Sequence, residues 1–144
     1  MKMITLTLII CFFCASLSAP PYPVVYIERA KVIQVFDPML YAFQKVESNF
    51  RTNVVNHLGY TGILQEGPEM IAEANRICVI TGNPQRFSFP ESALDSLQSV
   101  HIWYIVQGYW NPQYTLKQAC HTWNPLASIN YYNKIKNTLW KSRN

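Results

Sequence analysis

The sequence predicts a mainly α-helical single domain, on three observations. Apolar residues recur at spacings of three and four through several long stretches. Helix-start pairs of proline and acid stand at Asp37-Pro38, Pro68-Glu69 and Pro90-Glu91. Beyond residue 19 there are no repeats, low-complexity tracts or linkers.

The first 19 residues read as an export signal rather than as part of the fold. Lys2 supplies a positive charge, Ile4 to Cys14 is an almost uninterrupted apolar run, and Ala15-Ser16-Leu17-Ser18-Ala19 offers small residues before Pro20-Pro21. Such an order is that of a secretory signal, with cleavage expected near Ser18 or Ala19. The run falls short of the ~20 apolar residues of a comfortable membrane span, so an uncleaved signal is the one route to a membrane. The chain is therefore expected to be exported, to the periplasm, the cell envelope or beyond. Residues 20–144 suffice for one domain with a real core.

Pro20 to Pro23 is an extended leader, and Val24 to Phe36 is compatible with a short helix or an extended segment. Asp37 is an N-cap acceptor and Pro38 suits the first helical position. Met39, Leu40, Phe43, Val46 and Phe50 mark one face of the helix that follows, and Glu47 lies on that apolar face. Asn53 to Gly67, with Asn56, Gly59 and Gly62, reads as a loop or a short irregular, β-like hairpin. Pro68 to Ile80 is a second helix, closing at Thr81-Gly82-Asn83-Pro84. A third and longest runs from Ser88 to Tyr109, a short fourth from Tyr114 to His121, and a fifth from Ser128 to Trp140.

The chain carries 12 basic and 8 acidic residues, and without Lys2 the excess is about +3. A mild excess suits contact with an anionic polymer such as a cell wall. It forms no basic stripe of the kind that nucleic-acid binders show, so no nucleic-acid partner is expected. Aromatic residues make up 14% of the chain, as core or as platforms for sugar rings. After the signal only Cys78 and Cys120 remain, either one disulfide in an oxidising compartment or two buried thiols. Beyond the signal there is no CxxC or HExxH, and His57, His101 and His121 form no cluster, so neither metal nor cofactor is expected. A monomer is expected.

A carboxyl on the apolar face at a helix end is the most informative feature. Burial disfavours the charged form of a glutamate and raises its pKa, letting it hold a proton near neutral pH. A general acid for a glycosidic bond needs that property. Glu47-Ser48-Asn49-Phe50 is followed by Gly59-Tyr60-Thr61-Gly62-Ile63-Leu64-Gln65 and then Pro68. The glycines let the backbone pass close to a bound sugar, and Gln65 offers a donor and an acceptor for an N-acetyl group or a hydroxyl. Ser48 can bond near the Glu47 carboxyl or the adjacent backbone.

These segments resemble the signature of the soluble lytic transglycosylase family: an E-S-x-F segment, then G-x-x-G-L-M-Q, then a proline three residues further on. Ala119 to Pro125 aligns with the family's A-Y-N-A-G-like segment, Trp123 and Asn124 standing at the Tyr-Asn positions, although no glycine follows. Tyr131-Tyr132-Asn133-Lys134-Ile135 resembles its Y-V-x-x-I/V helix, with Tyr131 at the tyrosine close to the acid. The resemblance spans roughly Asp37 to Ile135 and implies a lysozyme-like helical domain that acts on peptidoglycan glycan strands. It implies Glu47 as acid and then base, with Ser48, Gly62, Gln65, Asn124 and Tyr131 around the substrate. The implied product is a 1,6-anhydromuramoyl end, formed without water. Two rival readings keep the same scaffold. One is a muramidase that adds water with Glu66 or Glu69 as second carboxylate, and the other is a non-catalytic wall-binding protein.

Overall fold

A computed structural model describes residues 36–142. The expected export signal, the Pro20–Pro23 leader and the Val24 to Phe36 segment up to residue 35 lie outside the described residues. Six helices follow one another: α1 (Pro38–Glu47), α2 (Pro68–Ile80), α3 (Glu91–Leu94), α4 (Ser96–Trp110), α5 (Leu116–Trp123) and α6 (Ile129–Lys141). Among the described residues there is no strand. Between α1 and α2 only isolated antiparallel bridges occur, Val55 with Thr61 and Thr61 with Glu66, so the expected β-like loop is present in its most reduced form. The mainly α class is as the sequence predicts. No helix of the described residues is long and apolar enough to cross a membrane.

The caps explain most helix boundaries. Asp37 accepts from the backbone N–H groups of Met39 (2.9 Å) and Leu40 (3.1 Å), two of the donors that a helix start leaves without partners. Pro38 and Pro68 occupy the first helical positions of α1 and α2, where a missing N–H costs nothing. The long helix expected over Ser88 to Tyr109 is instead two. Asp95 ends α3 in an extended conformation and caps α4, accepting from Leu97 N–H (2.9 Å) and Gln98 N–H (3.1 Å). Its short carboxylate competes with the helical ladder for those donors, and the helix breaks there.

The apolar stripe expected along α1 also ends sooner than its spacing suggests. Ser48 is the C-cap, and Asn49 (φ 56°) and Phe50 (φ 64°) both take left-handed backbone. Asn tolerates that conformation at a helix end better than most residues. The chain doubles back, Phe50 N–H reaching Gln44 C=O at 3.2 Å. The Phe50 ring therefore leaves the core face and lies on Tyr41, centroids 4.9 Å apart, with the Lys45 ammonium 5.6 Å above it.

The helices pack as α1 on α6, α2 on α4, and α4 on α3 and α5, with α5 also touching α6. At the centre, Trp103 of α4 is fully buried between Phe43 of α1 (4.6 Å between centroids) and Trp123 of α5 (4.8 Å). The indole N–H groups are satisfied as buried donors require, Trp103 donating to Tyr114 Oη (3.1 Å) and Trp123 to Leu64 C=O (3.1 Å). Phe43, Trp103 and Trp123 are thus core, whereas Tyr104, Tyr109 and Trp110 of α4 are exposed.

Asp37 has a second task. Its Oδ2 accepts from the hydroxyls of Tyr104 in α4 (3.1 Å) and Tyr114 in the α4–α5 turn. Asp37→Ala removes a cap, typically about 1 kcal/mol, and leaves a largely buried tyrosine hydroxyl without its acceptor, about 1–3 kcal/mol more. A loss of about 2–4 kcal/mol in urea unfolding is expected. A loss below about 1 kcal/mol would show that the tyrosine contacts contribute nothing.

Candidate active site

α1 and α6 run in opposite senses, so the end of one meets the start of the other. On α1, Leu40, Phe43 and Glu47 share a face. On α6, Tyr131, Ile135 and Leu139 share another, Ile135 and Leu139 being buried. These stripes meet, and at the meeting point Tyr131 Oη donates a hydrogen bond to Glu47 Oε1. The Tyr131 ring stands edge-on to Phe43 at 6.3 Å. Glu47 thus projects from the last residue of α1 into a half-buried, largely apolar setting.

Burial raises the pKa of Glu47 above the ordinary carboxyl value, and this outweighs the Tyr131 hydrogen bond and the Lys134 charge, both of which lower it. Burial and the adjacent Glu47 charge push the Tyr131 hydroxyl up, so it stays a proton donor. The second carboxyl oxygen, Oε2, accepts no hydrogen bond from the described residues and is not among their sealed, unpartnered polar atoms. Oε2 is therefore not fully sealed from solvent. The arrangement has one oxygen anchored by a phenol, one not fully sealed, and a proton held more tightly than by a free glutamate.

The other residues expected around a substrate have different partners. Ser48 is buried, and its hydroxyl donates to Ile63 C=O at 2.8 Å, tying the end of α1 to the loop before α2. Gly62 is needed for an internal reason. Its φ is +81°, and an added Cβ would stand 1.8 Å from the Ala93 carbonyl oxygen, so only glycine lets this loop lie against α3. Gln65, itself left-handed (φ 52°), spends its amide N–H₂ on Gly62 C=O (2.9 Å) and Val54 C=O (3.2 Å), leaving Oε1 without a donor. Ser48, Gly62 and Gln65 therefore hold the loop that follows α1.

Asn124 caps the end of α5 and is exposed. Its side chain bonds to none of the described residues, and it opens the Asn124–Ser128 loop, where Leu126 is 97% exposed. Trp123, expected at a family tyrosine position, is core. Cys78 and Cys120, the candidate disulfide pair, are both buried free thiols. Both helices pack on α4, Cys78 from α2 and Cys120 from α5. Cys120 stands near Glu47 instead, burial and the Glu47 charge pushing its thiol up to about 11.

Neither carboxylate of the hydrolytic reading is well placed. Glu66 is 1% exposed with both oxygens sealed and unpartnered, and so is shut off from any ligand. Glu69 is exposed in the first turn of α2, where its charge acts on the Tyr60 hydroxyl and raises it. Among the described residues no group of three or more His, Cys, Asp or Glu could hold a metal ion. Two cavities of about 290 and 300 Å³ lie away from Glu47, one beside Trp110, Asn111 and Gln118, the other between Tyr41 of α1 and Lys141 of α6.

Lys134, whose charge lowers the Glu47 pKa, was not singled out from sequence, and Cys120, read there as one half of a disulfide pair, has its thiol raised by the Glu47 charge. The helical spacing of Lys134 from Tyr131 is the signal that could have found the lysine. Comparison with family models, curated proteins and solved structures finds no match to the chain.

Proposed function

We propose that the protein is an exported peptidoglycan lytic transglycosylase, with Glu47 as its single acid/base. The reading rests on Glu47 itself, a carboxyl whose pKa is raised by burial, anchored on one oxygen by Tyr131 and not fully sealed on the other. A proton held more tightly than by a free glutamate can be given to the oxygen of the β-1,4 bond between N-acetylmuramic acid and N-acetylglucosamine. The substrate's N-acetyl group stabilises the cation at the anomeric carbon. The resulting Glu47 carboxylate, stabilised by Tyr131 and by the positive charge of Lys134, then takes the proton of the muramoyl 6-hydroxyl as that oxygen closes the 1,6-anhydro ring. No water is consumed and the proton count balances.

Ordinary glycosidases use two carboxylates on either side of the bond. The sealed position of Glu66 supports a one-acid route over hydrolysis. No observation in the structure favours a non-catalytic wall-binding role specifically.

Mass spectrometry of muropeptides released from purified sacculi by the exported protein tests the proposal. Anhydromuramoyl ends are the expected product. Reducing ends throughout would replace the lyase by a hydrolase, and no release at all would remove the enzymatic reading.

A further inference from the structure

The turn that joins α4 to α5 lies at the far end of α1 from Glu47. Tyr114 in that turn bonds to Asp37, which caps the start of α1, and the ten residues of α1 carry Glu47 ~15 Å further along the helix axis. Beside the turn is the cavity of about 290 Å³, lined by Trp110, Asn111, Pro112, Gln113, Thr115 and Gln118. We propose that this cavity is a second carbohydrate site, separate from Glu47, which takes one uncharged pyranose unit of a glycan chain against the Trp110 ring. It goes beyond the reading of Glu47 and does not depend on it.

Three features select that ligand. Among the described residues no charged side chain lines the cavity, so nothing there offsets the desolvation of an ion, and a neutral ligand is favoured. The aromatic ring is exposed yet fixed. Trp110 is 48% exposed, and its indole N–H donates to Glu73 Oε1 at 2.6 Å. Glu73 is gripped in turn by Arg76 Nε and Nη2, each at 2.7 Å. The Arg76 guanidinium lies over the ring, 5.8 Å from its centroid, without lining the cavity, and Tyr109 stands edge-on at 4.9 Å. With its N–H engaged, the indole offers a ligand its π face, which is apolar and carries negative charge density suited to the C–H face of a pyranose. A side chain ordered beforehand loses little freedom on binding. Polar groups of both kinds complete the wall. The Gln113 side chain is exposed and bonds to none of the described residues. Gln118 donates to Thr122 at 3.4 Å through Nε2 and keeps Oε1 as an acceptor. Thr115 Oγ1 accepts from Gln118 N–H at 3.4 Å and keeps its own proton to donate. Such a set matches sugar hydroxyls. Asn111, by contrast, is buried, and its amide bonds to Gln107 Oε1 and to the Thr115 backbone hold the turn in shape. The site is therefore preformed, at the small end of ligand pockets (~300–1,000 Å³), which suits a single ring.

The test titrates chitotetraose, an uncharged β-1,4-linked chain, into the isotope-labelled protein and follows it by NMR. The Trp110 indole N–H and the side-chain amides of Gln113 and Gln118 should shift together, with a midpoint at about 1–10 mM. Trp110→Ala should weaken this binding about tenfold or more. Gln113→Ala alters an exposed side chain with no partner to lose, and should weaken it about threefold with the fold intact. Glu47→Gln should leave it unchanged. The shifts are read first in the unmodified protein, so they stand even if Trp110→Ala fails to fold. Signals of Trp110 and the two glutamines that stay in place while Tyr131 and its neighbours move would overturn the proposal. So would a midpoint the same in Gln113→Ala and Trp110→Ala as in the parent. Inorganic phosphate should move none of these signals, and saturation by phosphate would make the class of ligand wrong. Sacculi left uncut by the protein would overturn the reading of Glu47 instead, and leave this site standing.

Discussion

Glu47→Gln should slow sacculus cleavage by about 10²–10⁴-fold, the usual contribution of a general acid/base, or ~3–5 kcal/mol of barrier. Glutamine keeps the size of the side chain and can still accept the Tyr131 hydrogen bond through its carbonyl oxygen. It has no proton to give to the leaving oxygen and, once charge develops, no carboxylate to take one from the 6-hydroxyl. Both halves of the proposed reaction thus fail together. Because burial raises the native pKa of this group, replacing it should not destabilise the fold, and urea unfolding at neutral pH should show the variant at least as stable as the parent. Activity lost with the fold intact identifies a chemical role. A rate within threefold of the parent would remove Glu47 from the mechanism.

How much of this could be read from sequence depends on the range of the interactions involved. The starts of α1 and α2 were legible because Asp37-Pro38 and Pro68 act on their own first turns. Glu47 was legible because it sits on the apolar stripe of α1, and Tyr131 through the resemblance of its segment to a family helix. The break at Asp95 was not, since a capping aspartate inside an apolar periodic run is outvoted by its neighbours until its bonds to Leu97 and Gln98 are seen. Phe50 fits the spacing of α1, yet two left-handed residues carry it to Tyr41. The glycine pattern was seen, but not the internal reason for Gly62. What excludes a side chain at position 62 is the Ala93 carbonyl, 31 residues away in sequence, and no local rule reports such an approach. Lys134 belongs to the same class, a surface residue until its neighbour's partner is known.

Glu66 is the extreme case, and the second large effect is expected there. Nothing in Gln65-Glu66-Gly67 marks the acid as buried, but the bridge to Thr61 turns it inward beneath α4. Ser99 Oγ is the one group that eases its burial, and it makes no well-formed hydrogen bond to either oxygen. Desolvation pushes the Glu66 pKa up to about 9, whereas in the unfolded chain it should titrate near 4.5. Between these values the unfolded chain has released a proton that the folded one retains, so stability is full below about pH 4.5 and falls as pH rises toward 9. At about 1.4 kcal/mol per pH unit the loss near pH 7 is roughly 3 kcal/mol. Glu66→Gln removes the ionisation and should recover most of that, raising Tm on the order of 10 °C at pH 7. The variant should also flatten the pH dependence of unfolding between pH 5 and 8. Glu66→Leu should do the same without leaving an amide to satisfy. A parent protein equally stable at pH 5 and pH 8 would mean that the Glu66 carboxyl finds water or a partner in solution and is not sealed in the core.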